Sequence, residues 1–505
     1  MPASVRLAPW ILLGAAVVGA VLLRLPTLGE QSYWYDELAT LNVTSVGFPS
    51  LLDALSASEA TPPAYYFVAK AWRELLGDGE TVLRLLSALS GIATVPVVYA
   101  AARSGGGTRA GVIAAALVAV NPLMVWFSQE ARAYALLALL SALTFLFFVR
   151  ALDDRRQRWI WAWAIAGALA LATHYFAFTI IVPEGIWLYV MLRRSRAKVV
   201  LAGGGVLATA AALGPLALAQ QNRTSWIESI DIVQRLLQVP QHFVVGLQSP
   251  SQALAALAVV SLAAVLIYLL AGADRPTRRT ATRAGAMALG GFLLALAAAA
   301  LGRDFLITRN LIALWPPFAV GVGVVLGAPR SGRVGLSAAA VLAALGVAIS
   351  IWTALTPAAQ RPDWRVLAQA LEGPAGSRLI LGRAVGGDML PLTLYLAGTQ
   401  PAPPGTRVRA AEVVVIALRP TPDYGIGPCW WGVFCGGEFD SELPIDFLLE
   451  VSRPPDLPPG LRLLERGKTE RLLYRRYAAP GDTLLPPSSF FHPQLIQSPP
   501  PSAGG

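Results

Sequence analysis

Two adjacent carboxylates, Asp36 and Glu37, directly follow the aromatic cluster Tyr33-Trp34-Tyr35 near the start of the chain. They come shortly after the first long apolar run. A carboxylate held at a membrane surface could act as a general base for an acceptor hydroxyl. The alternative interpretation is an ordinary solvated acidic pair beneath a belt of interfacial aromatic residues.

Arginine side chains form a second group that could do chemistry. Five are predicted to lie on the outer face, at or near the ends of apolar runs: Arg84, Arg132, Arg223, Arg303 and Arg309. Guanidinium groups bind phosphate oxygens in a fork geometry, and an outer-face arginine is well placed for a lipid phosphate. The alternatives are snorkelling toward the headgroups and local ion pairs, such as Glu130 with Arg132 or Arg303 with Asp304.

The pair His174-Tyr175 interrupts a long apolar stretch close to the predicted outer surface. A histidine there could bind phosphate, move a proton or ligate a metal, whereas a histidine that only completes a turn is the structural alternative. No second histidine or cysteine lies nearby in the sequence, which disfavours a metal site. We therefore predict no obligatory metal and no other cofactor, although the carboxylate pair with His174 leaves room for a divalent ion.

The composition places these residues in a membrane protein. Apolar residues make up 55% of the chain, charged residues only 14%, and the mean hydropathy is +0.56. The basic residues behind the net charge of +10 concentrate in alternate short loops between apolar runs. This is the positive-inside pattern, and it explains the charge without a nucleic-acid partner.

The apolar runs and the charge pattern together predict about eleven transmembrane helices. Their predicted positions are 8–25, 82–102, 110–127, 134–151, 159–173, 176–192, 199–219, 252–271, 285–302, 311–328 and 335–355. The N-terminus is then cytoplasmic, and the chain after Thr356 is extracytoplasmic. The first outer loop, 26–81, is too long for a simple connector and contains short amphipathic stretches expected at the membrane interface. A similar interfacial helix is expected within 220–251.

The tail changes character after the last apolar run. RPDWRVLAQALEG and MLPLTLYLAG predict helices, whereas SRLILGR, AEVVVIALR and ERLLYRRYA predict strands. The predicted fold class is an α-helical polytopic membrane domain, 1–356, with a small C-terminal extracytoplasmic α/β domain, 357–480. A disordered Pro-rich tail is expected at 481–505. Cys429 and Cys435 lie in an oxidising compartment that permits a disulfide, although their spacing does not establish one.

The chain contains, in this order, YWYDELATL, TPPAYYFVAKAW, LRLLSALSGIATVPVVYAAAR, NPLMVWFSQEARAYAL, THYFAF, TRNLIALWPPF and RPDWR. This order resembles the bacterial family 39 glycosyltransferases, which are relatives of the protein O-mannosyltransferases and the lipid A aminoarabinose transferases in the GT-C class. The resemblance covers about residues 20–365, which is nearly the whole predicted transmembrane domain.

The resemblance implies roles for individual residues. Asp36 falls on the catalytic base of the family, and Glu37 would support its loop. The predicted residues for binding donor phosphate or substrate are Arg84, Glu130, Arg132, Tyr134, His174, Tyr175 and Arg309. One departure is visible, because the family often has His-Pro-Pro where this chain has Thr61-Pro62-Pro63.

The predicted function is the transfer of a sugar from a polyprenyl-phosphate carrier to a hydroxyl of a glycan, lipid or protein. The reaction would occur at the outer face of a bacterial cell membrane and invert the anomeric centre. The alternative is a transporter or flippase of lipid-linked sugars, which would place charges inside the spans and have pseudo-symmetric halves. A non-catalytic scaffold of envelope assembly would leave the acidic pair and the outer arginines unexplained.

Overall fold

The computed structural model of the protein describes residues 3–372, 377–383, 389–403, 407–418, 460–469, 472–485 and 494–498. These residues form two compact units. The first unit contains the described residues up to 28 together with 40–353. The second contains residues 29–39 and the described residues from 354 onward. The acidic stretch 29–39 therefore belongs to the same unit as the tail.

Helices build the first unit. In chain order they are α1 (Ala3–Arg24), α2 (Tyr35–Ser45, whose first turn belongs to the second unit), α3 (Leu51–Ser58), α4 (Ala64–Leu76), α5 (Glu80–Val120), α6 (Pro122–Ser128), α7 (Tyr134–Asp153), α8 (Gln157–Thr173), α9 (Phe178–Met191), α10 (Arg196–Ala219), α11 (Ile232–Val245), α12 (Gln252–Ala271), α13 (Arg275–Ala300), α14 (Trp315–Gly327) and α15 (Gly332–Leu355). Short 3-10 turns lie between them, at Phe48–Ser50, Tyr175–Ala177, Arg193–Ser195, Gln221–Ser229, Thr308–Leu314 and Pro329–Ser331.

Within the described part of the chain, seven helical segments are long and apolar enough to cross a bilayer. They are Glu80–Val120, Tyr134–Asp153, Arg193–Ala219, Gln252–Ala271, Arg275–Ala300, Thr308–Gly327 and Pro329–Leu355. Pro9–Arg24 and Tyr175–Met191 are shorter apolar helices. Every predicted span falls on a helix of the structure. The prediction of an α-helical polytopic membrane protein is therefore confirmed.

Two predicted spans, 82–102 and 110–127, lie on the two halves of α5, which are two helices separated by a kink. The joint is Gly107, which has a φ of 80°. A left-handed backbone of this kind costs glycine little, because glycine has no Cβ to collide with the neighbouring carbonyl. The prediction of separate spans on the two sides of this glycine agrees with the kink.

The second of those spans ends earlier than predicted, because α5 stops at Val120. The side chain of Asn121 accepts a hydrogen bond from the backbone N–H of Met124 at 3.2 Å and so caps α6. Pro122 lacks the N–H that would continue the helix from α5. The prediction of one continuous span over 110–127 was wrong for its last turns, which form the separate helix α6.

Helix α14 lies directly against the second half of α5. A Cβ added at Gly327 would stand 2.7 Å from the backbone nitrogen and the Cα of Ala110. Small residues allow such close approach between helices in a membrane, where packing rather than hydrophobic burial drives association. The two backbones are therefore too close at this point for any residue with a side chain.

We expect Gly327→Ala to lower the stability of the protein, because the added methyl group must separate α14 from α5. Overpacking of this kind costs about 1–3 kcal/mol of unfolding free energy. The measurement is the midpoint of thermal unfolding in detergent. The matched control is Gly204→Ala in α10, where an added Cβ meets no atom within 4 Å. Equal midpoints for the two variants would contradict the packing argument.

The second unit contains a mixed β-sheet. Its helices are α16 (Trp364–Leu371) and α17 (Leu392–Tyr395), and its described strands are β1 (Arg378–Arg383), β2 (Thr399–Pro401), β3 (Val408–Leu418), β4 (Arg462–Lys468), β5 (Leu472–Leu485) and β6 (Gln494–Gln497). The strand order is β2-β6-β1-β3-β5-β4. Strands β1 and β3 are parallel, and the other neighbouring pairs are antiparallel. Trp364, Leu392 and Leu495 share one buried cluster on this sheet. The small C-terminal α/β domain is therefore confirmed.

The end of the sheet differs from the prediction of a disordered tail from residue 481. Strand β5 continues to Leu485, and β6 pairs with both β1 and β2. Prolines on both sides of β6 dominate the composition, but its own four residues contain none, and Leu495 is fully buried. The helix predicted at MLPLTLYLAG is reduced to one turn, α17. Cys429 and Cys435 lie outside the described residues.

Candidate functional site

The acidic pair opens helix α2. Asp36 and Glu37 lie in its first turn, where the positive end of the helix dipole favours carboxylates. Glu37 is fully buried, and its Oε2 accepts a hydrogen bond from the backbone N–H of Trp34 at 3.4 Å. This reach back over the start of the helix is a capping interaction. Asp36 is only partly buried. The two carboxylates therefore differ, with Glu37 holding the helix start and Asp36 more accessible.

The tail motif RPDWR holds the segment that leads to the acidic pair. The backbone N–H of Trp364 donates to Ser32 Oγ at 2.9 Å, and Arg365 donates to two backbone carbonyls just upstream of Ser32. The backbone N–H of Tyr33 donates to the Tyr395 hydroxyl at 2.8 Å. These contacts lie within the second unit and fix the chain on the N-terminal side of α2.

In the first unit, Arg132 forms a buried ion pair with Glu59. The guanidinium donates through Nη2 to Glu59 Oε2 at 2.9 Å and through Nη1 to Glu59 Oε1. Nη1 also donates to Thr40 Oγ1 at 3.2 Å. Both charged side chains are nearly inaccessible, at 8% and 4% exposure. The predicted phosphate ligand Arg132 thus has a carboxylate partner inside the protein, and that partner was not among the predicted site residues.

The outer turn that carries Thr61 is tied to Tyr175 through Gln220. The Tyr175 hydroxyl donates to Gln220 Oε1 at 2.8 Å, and Gln220 Nε2 donates to the carbonyl of Thr61 at 3.3 Å. Thr61 Oγ1 lies 3.0 Å from the hydroxyl of Tyr66, and both side chains are buried. Burial raises the pKa of Tyr66 well above its usual value. The turn is therefore held by a neutral network, in which Thr61 contributes a hydroxyl where the family often has histidine.

His174 lies between α8 and α9 and is buried. Its Nδ1 accepts a hydrogen bond from the backbone N–H of Phe176 at 3.3 Å, so the ring proton of the neutral form lies on Nε2. Burial, followed by the charges of Arg132 and Arg309, lowers the pKa of the imidazole from 6.5 to about 3. The ring also contacts Tyr134, with 5.5 Å between centroids. His174 is consequently a neutral hydrogen-bond donor at physiological pH, flanked by two guanidinium groups.

Arg309 lies in the 3-10 turn Thr308–Leu314. Its guanidinium carbon stands 5.1 Å from the ring centroid of Trp226, within the range of a cation–π contact. Such a contact helps to hold the guanidinium in place. The charges of Arg309 and Arg132 both act on the His174 imidazole, whose ring contacts Tyr134, two residues after Arg132.

The turn that carries Arg309 is anchored on both sides. Arg235 in α11 donates to Asp304 Oδ1 and Oδ2, each at 2.7 Å, and to the carbonyl of Leu306 at 3.1 Å. His242 lies seven residues after Arg235 in the same helix, and its Nδ1 is 2.7 Å from Thr308 Oγ1. Two buried side chains of α11 thereby fix residues 304–308. The expected partner of Asp304 was Arg303, whereas the structure gives Arg235.

Arg84 and Glu130 are also buried in the first unit. Arg84 is 1% exposed, and its Nη1 donates to the carbonyl of Leu28 at 3.0 Å. Ser87, one turn further along α5, donates to the carbonyl of Arg132 at 3.2 Å. The backbone N–H of Arg132 in turn donates to the carbonyl of Glu130 at 2.7 Å. The hydrogen bond from Ser87 therefore joins the start of α5 to the turn before α7, close to the predicted residues Arg84 and Glu130.

Two further ionisable side chains, Arg24 and Glu184, are buried in apolar helices. Arg24 at the end of α1 donates to the carbonyls of Val118 and Ala119 and to Ser128 Oγ. Glu184 in α9 accepts hydrogen bonds from Trp163 Nε1 and the Thr144 hydroxyl. Each is satisfied by neighbouring helices, so these side chains join helices together.

Glu59, Gln220 and Arg235 are functional candidates that sequence reasoning missed. The only sequence signal for Glu59 is its place two residues before Thr61-Pro62-Pro63, and an acid in a polar outer loop is common. Pairing between residues this far apart depends on packing and cannot be taken from spacing. Among the residues that the structure describes, no group of three or more His, Cys, Asp or Glu side chains could hold a metal ion.

A comparison with protein families matches one segment of the chain. Residues 60–217 match the family described as dolichyl-phosphate-mannose-protein mannosyltransferase. The segment contains the Thr61 turn, Arg132 and His174, whereas Asp36 and Arg309 lie outside it. No curated protein matches the sequence.

Solved structures match nearly the whole chain. ArnT from Cupriavidus metallidurans bound to undecaprenyl phosphate aligns with a TM-score of 0.55 at 14% identity, over 93% of this chain and 98% of that chain. ArnT in its apo state aligns with a TM-score of 0.53 at 14% identity, over 92% and 97%. This chain has the GT-C glycosyltransferase fold. Residues 60–217 are similar to the mannosyltransferase family and the chain shares the fold of ArnT, so the resemblance seen in the order of motifs is confirmed.

The Arg235–Asp304 pair gives this GT-C chain a pH-dependent component of stability. Hydrogen bonds from Arg235 hold the pKa of Asp304 below its usual value. A carboxylate with a lowered pKa stabilises the fold above its unfolded pKa, and this contribution is lost as the pH falls toward the folded value. We expect Asp304→Asn to lose about 1–3 kcal/mol at neutral pH and to decline less steeply below about pH 4.

The measurement for Asp304→Asn is the midpoint of thermal unfolding between pH 7 and pH 3, compared with the native protein. Asp78→Asn is the matched control, because its ion pair with Arg73 is exposed and contributes little. Parallel pH curves for the native protein and Asp304→Asn would contradict the assignment.

Proposed function

We propose that this protein is a membrane-bound glycosyltransferase that moves a sugar from a polyprenyl-phosphate carrier to an acceptor hydroxyl. The observation that carries the proposal is the cluster of Arg132, His174 and Arg309: the ring of His174 contacts Tyr134, two residues after Arg132, and the charges of both arginines act on this neutral donor. The matched family is named for a dolichyl-phosphate-mannose donor, and the ArnT structure of the same fold holds undecaprenyl phosphate. A phosphate on a polyprenyl chain has the charge that such a cluster would bind.

The phosphate-binding role is assigned chiefly to Arg309, supported by His174. The guanidinium would meet the phosphate oxygens as a fork, and the Nε2–H of His174 would donate a further hydrogen bond. As the bond between the sugar and the phosphate breaks, negative charge grows on the departing oxygen. Fixed donors stabilise that charge most in a site with little water, which favours the transition state over the bound substrate. Arg84 is assigned a secondary role, because its guanidinium also donates to Leu28.

The base is assigned to Asp36, the more accessible member of the acidic pair. Asp36 would remove the proton of the acceptor hydroxyl while its oxygen attacks the anomeric carbon of the sugar. The bond from that carbon to the phosphate oxygen breaks, and polyprenyl phosphate leaves with the bonding electrons. A single displacement with the base opposite the leaving group inverts the anomeric configuration. Glu37 is assigned the support of the helix start. The reaction as proposed uses no metal and no other cofactor.

The proposed location is a bacterial cell membrane, with the N-terminus in the cytoplasm and the C-terminal domain on the opposite side. The basic residues of alternate loops support this orientation, because loops rich in arginine remain cytoplasmic. The reaction would then occur at the outer face, with the carrier tail among the membrane lipids. The acceptor is proposed to be a hydroxyl-bearing glycan, lipid or protein in that compartment.

We expect Asp36→Asn to reduce the transfer rate by about 10²–10⁴-fold, the usual size of a general-base contribution, while donor binding is retained. The assay follows radiolabelled sugar from polyprenyl-phosphate donors into acceptors in membranes containing the full chain. Asp53→Asn is the matched control, since it removes the same charge from an exposed position of the same outer loop. Unchanged transfer by a correctly inserted Asp36→Asn variant would refute the assignment of the base.

We expect Arg309→Gln to raise the KM for the donor by about ten- to a hundredfold, the range for a lost charge-assisted contact. The KM for the acceptor should change little, because the lost interaction is with the phosphate. Arg303→Gln provides the control, since it removes an exposed positive charge six residues earlier in the same loop. An equal rise in KM for both variants would show a general effect of charge and contradict a specific phosphate contact.

A further inference from the structure

The ion pair between Glu59 and Arg132 is buried, as is the Arg235–Asp304 pair, whose side chains are 3% and 14% exposed. Both side chains of the Glu59–Arg132 pair are nearly inaccessible, at 4% and 8% exposure, and both carboxylate oxygens are used. In the neighbouring pair of Lys70 with Glu74, the carboxylate is 52% exposed. A bidentate pair shielded from water has a much stronger electrostatic effect than an exposed one. Glu59 therefore neutralises Arg132 efficiently.

Arg132 does not depend on Glu59 alone for its position. Its Nη1 also donates to Thr40 Oγ1, and its backbone carbonyl accepts a hydrogen bond from Ser87. Its backbone N–H donates to the carbonyl of Glu130. Several contacts hold the residue from both its backbone and its side chain. The carboxylate of Glu59 is thus not the only group that orients the Arg132 guanidinium. What Glu59 adds to these contacts is a negative charge.

The charge of Arg132 reaches the proposed phosphate site. The ring of Tyr134, two residues after Arg132, lies 5.5 Å from the ring of His174 between centroids, and the charges of Arg132 and Arg309 both lower the pKa of that imidazole. An anion bound between the two guanidinium groups would be attracted by each cation. Glu59 opposes that attraction, since a carboxylate in direct contact with Arg132 repels the same anion. Removing Glu59 should consequently leave a site with greater affinity for a phosphate.

We propose that Glu59 sets the affinity of this cluster for polyprenyl phosphate, so that the anionic product leaves after sugar transfer. This inference rests on the proposed function. The donor and the product share the polyprenyl-phosphate group, and a site that binds both too tightly gains nothing in the chemical step. Slow product release then limits turnover. Glu59 holds the affinity below that level by balancing one of the two cations, and it takes no part in bond making or breaking.

The sign of the effect distinguishes this role from a structural one. We expect Glu59→Gln to bind polyprenyl phosphate about tenfold more tightly than the native protein, as for one added charge-assisted contact. It should also lower the KM for the donor, lower kcat and increase inhibition by the product. A residue needed only for folding would weaken binding when it is replaced. The probe is undecaprenyl phosphate without a sugar, titrated into the purified full chain in lipid nanodiscs.

Two further variants test whether the gain in affinity comes from the pair of Glu59 with Arg132. Glu74→Gln removes the same charge from an exposed position of the same outer loop and should leave the dissociation constant within about twofold. Adding Arg132→Gln to Glu59→Gln should abolish the gain in affinity, because the gain arises from the released guanidinium. A gain that persists in the double variant would assign it to another cation and overturn the proposal.

Glu59→Gln leaves a buried cation without its carboxylate, so its folding is checked first by size-exclusion chromatography, and a variant that aggregates is replaced. Glu59→Asp then takes its place, since it retains the charge but withdraws it by one methylene, and it should tighten binding about threefold. Binding at or below native affinity by whichever variant folds overturns the role of Glu59, while leaving the proposed function in place. Absence of undecaprenyl phosphate binding by the native protein would overturn the proposed function itself, and the role of Glu59 with it.

Discussion

A guanidinium group removed from water must find oxygen partners, and this requirement organises the first unit. Arg24 finds them in the carbonyls at the end of α5, which have no partner within their own helix. Arg84 uses a carbonyl that follows α1, while Arg132 and Arg235 use carboxylates from other segments. Each solution joins elements that are distant in sequence. In an apolar protein, these few polar contacts specify which helix ends meet.

The same contacts prepare the proposed phosphate site. The turn with Arg309 is fixed by α11, and the turn with Arg132 is fixed by Glu59 and by the start of α5. His174 contributes a donor whose protonation does not change near neutral pH. Donors that are already oriented stabilise developing charge without reorganising during the reaction. Fixed contacts therefore hold the proposed site, and in our proposal a single neighbouring carboxylate, Glu59, adjusts its affinity.

Much of this architecture could be predicted from the sequence, because a bilayer imposes long apolar runs and asymmetric basic loops. The order of short motifs also predicted that Arg132, His174 and Arg309 belong to one site. The partners of the arginines could not be predicted, since Glu59 and Asp304 are far from Arg132 and Arg235 in the sequence and meet them only through tertiary packing. The final strands were missed for a related reason. Four residues between prolines form a strand only because a sheet edge is available to pair with them.

The acidic stretch 29–39 folds with the tail although it lies near the other end of the chain. Ser32 and Tyr33 take their hydrogen-bond partners from Trp364 and Tyr395. Cutting the chain after the last membrane helix would therefore not yield a minimal enzyme, because the segment before Asp36 would lose these contacts. The C-terminal domain is also not a freely exchangeable module. A chimera with the tail of a relative would need the acidic stretch of that relative as well, because residues of the tail hold this stretch through hydrogen bonds.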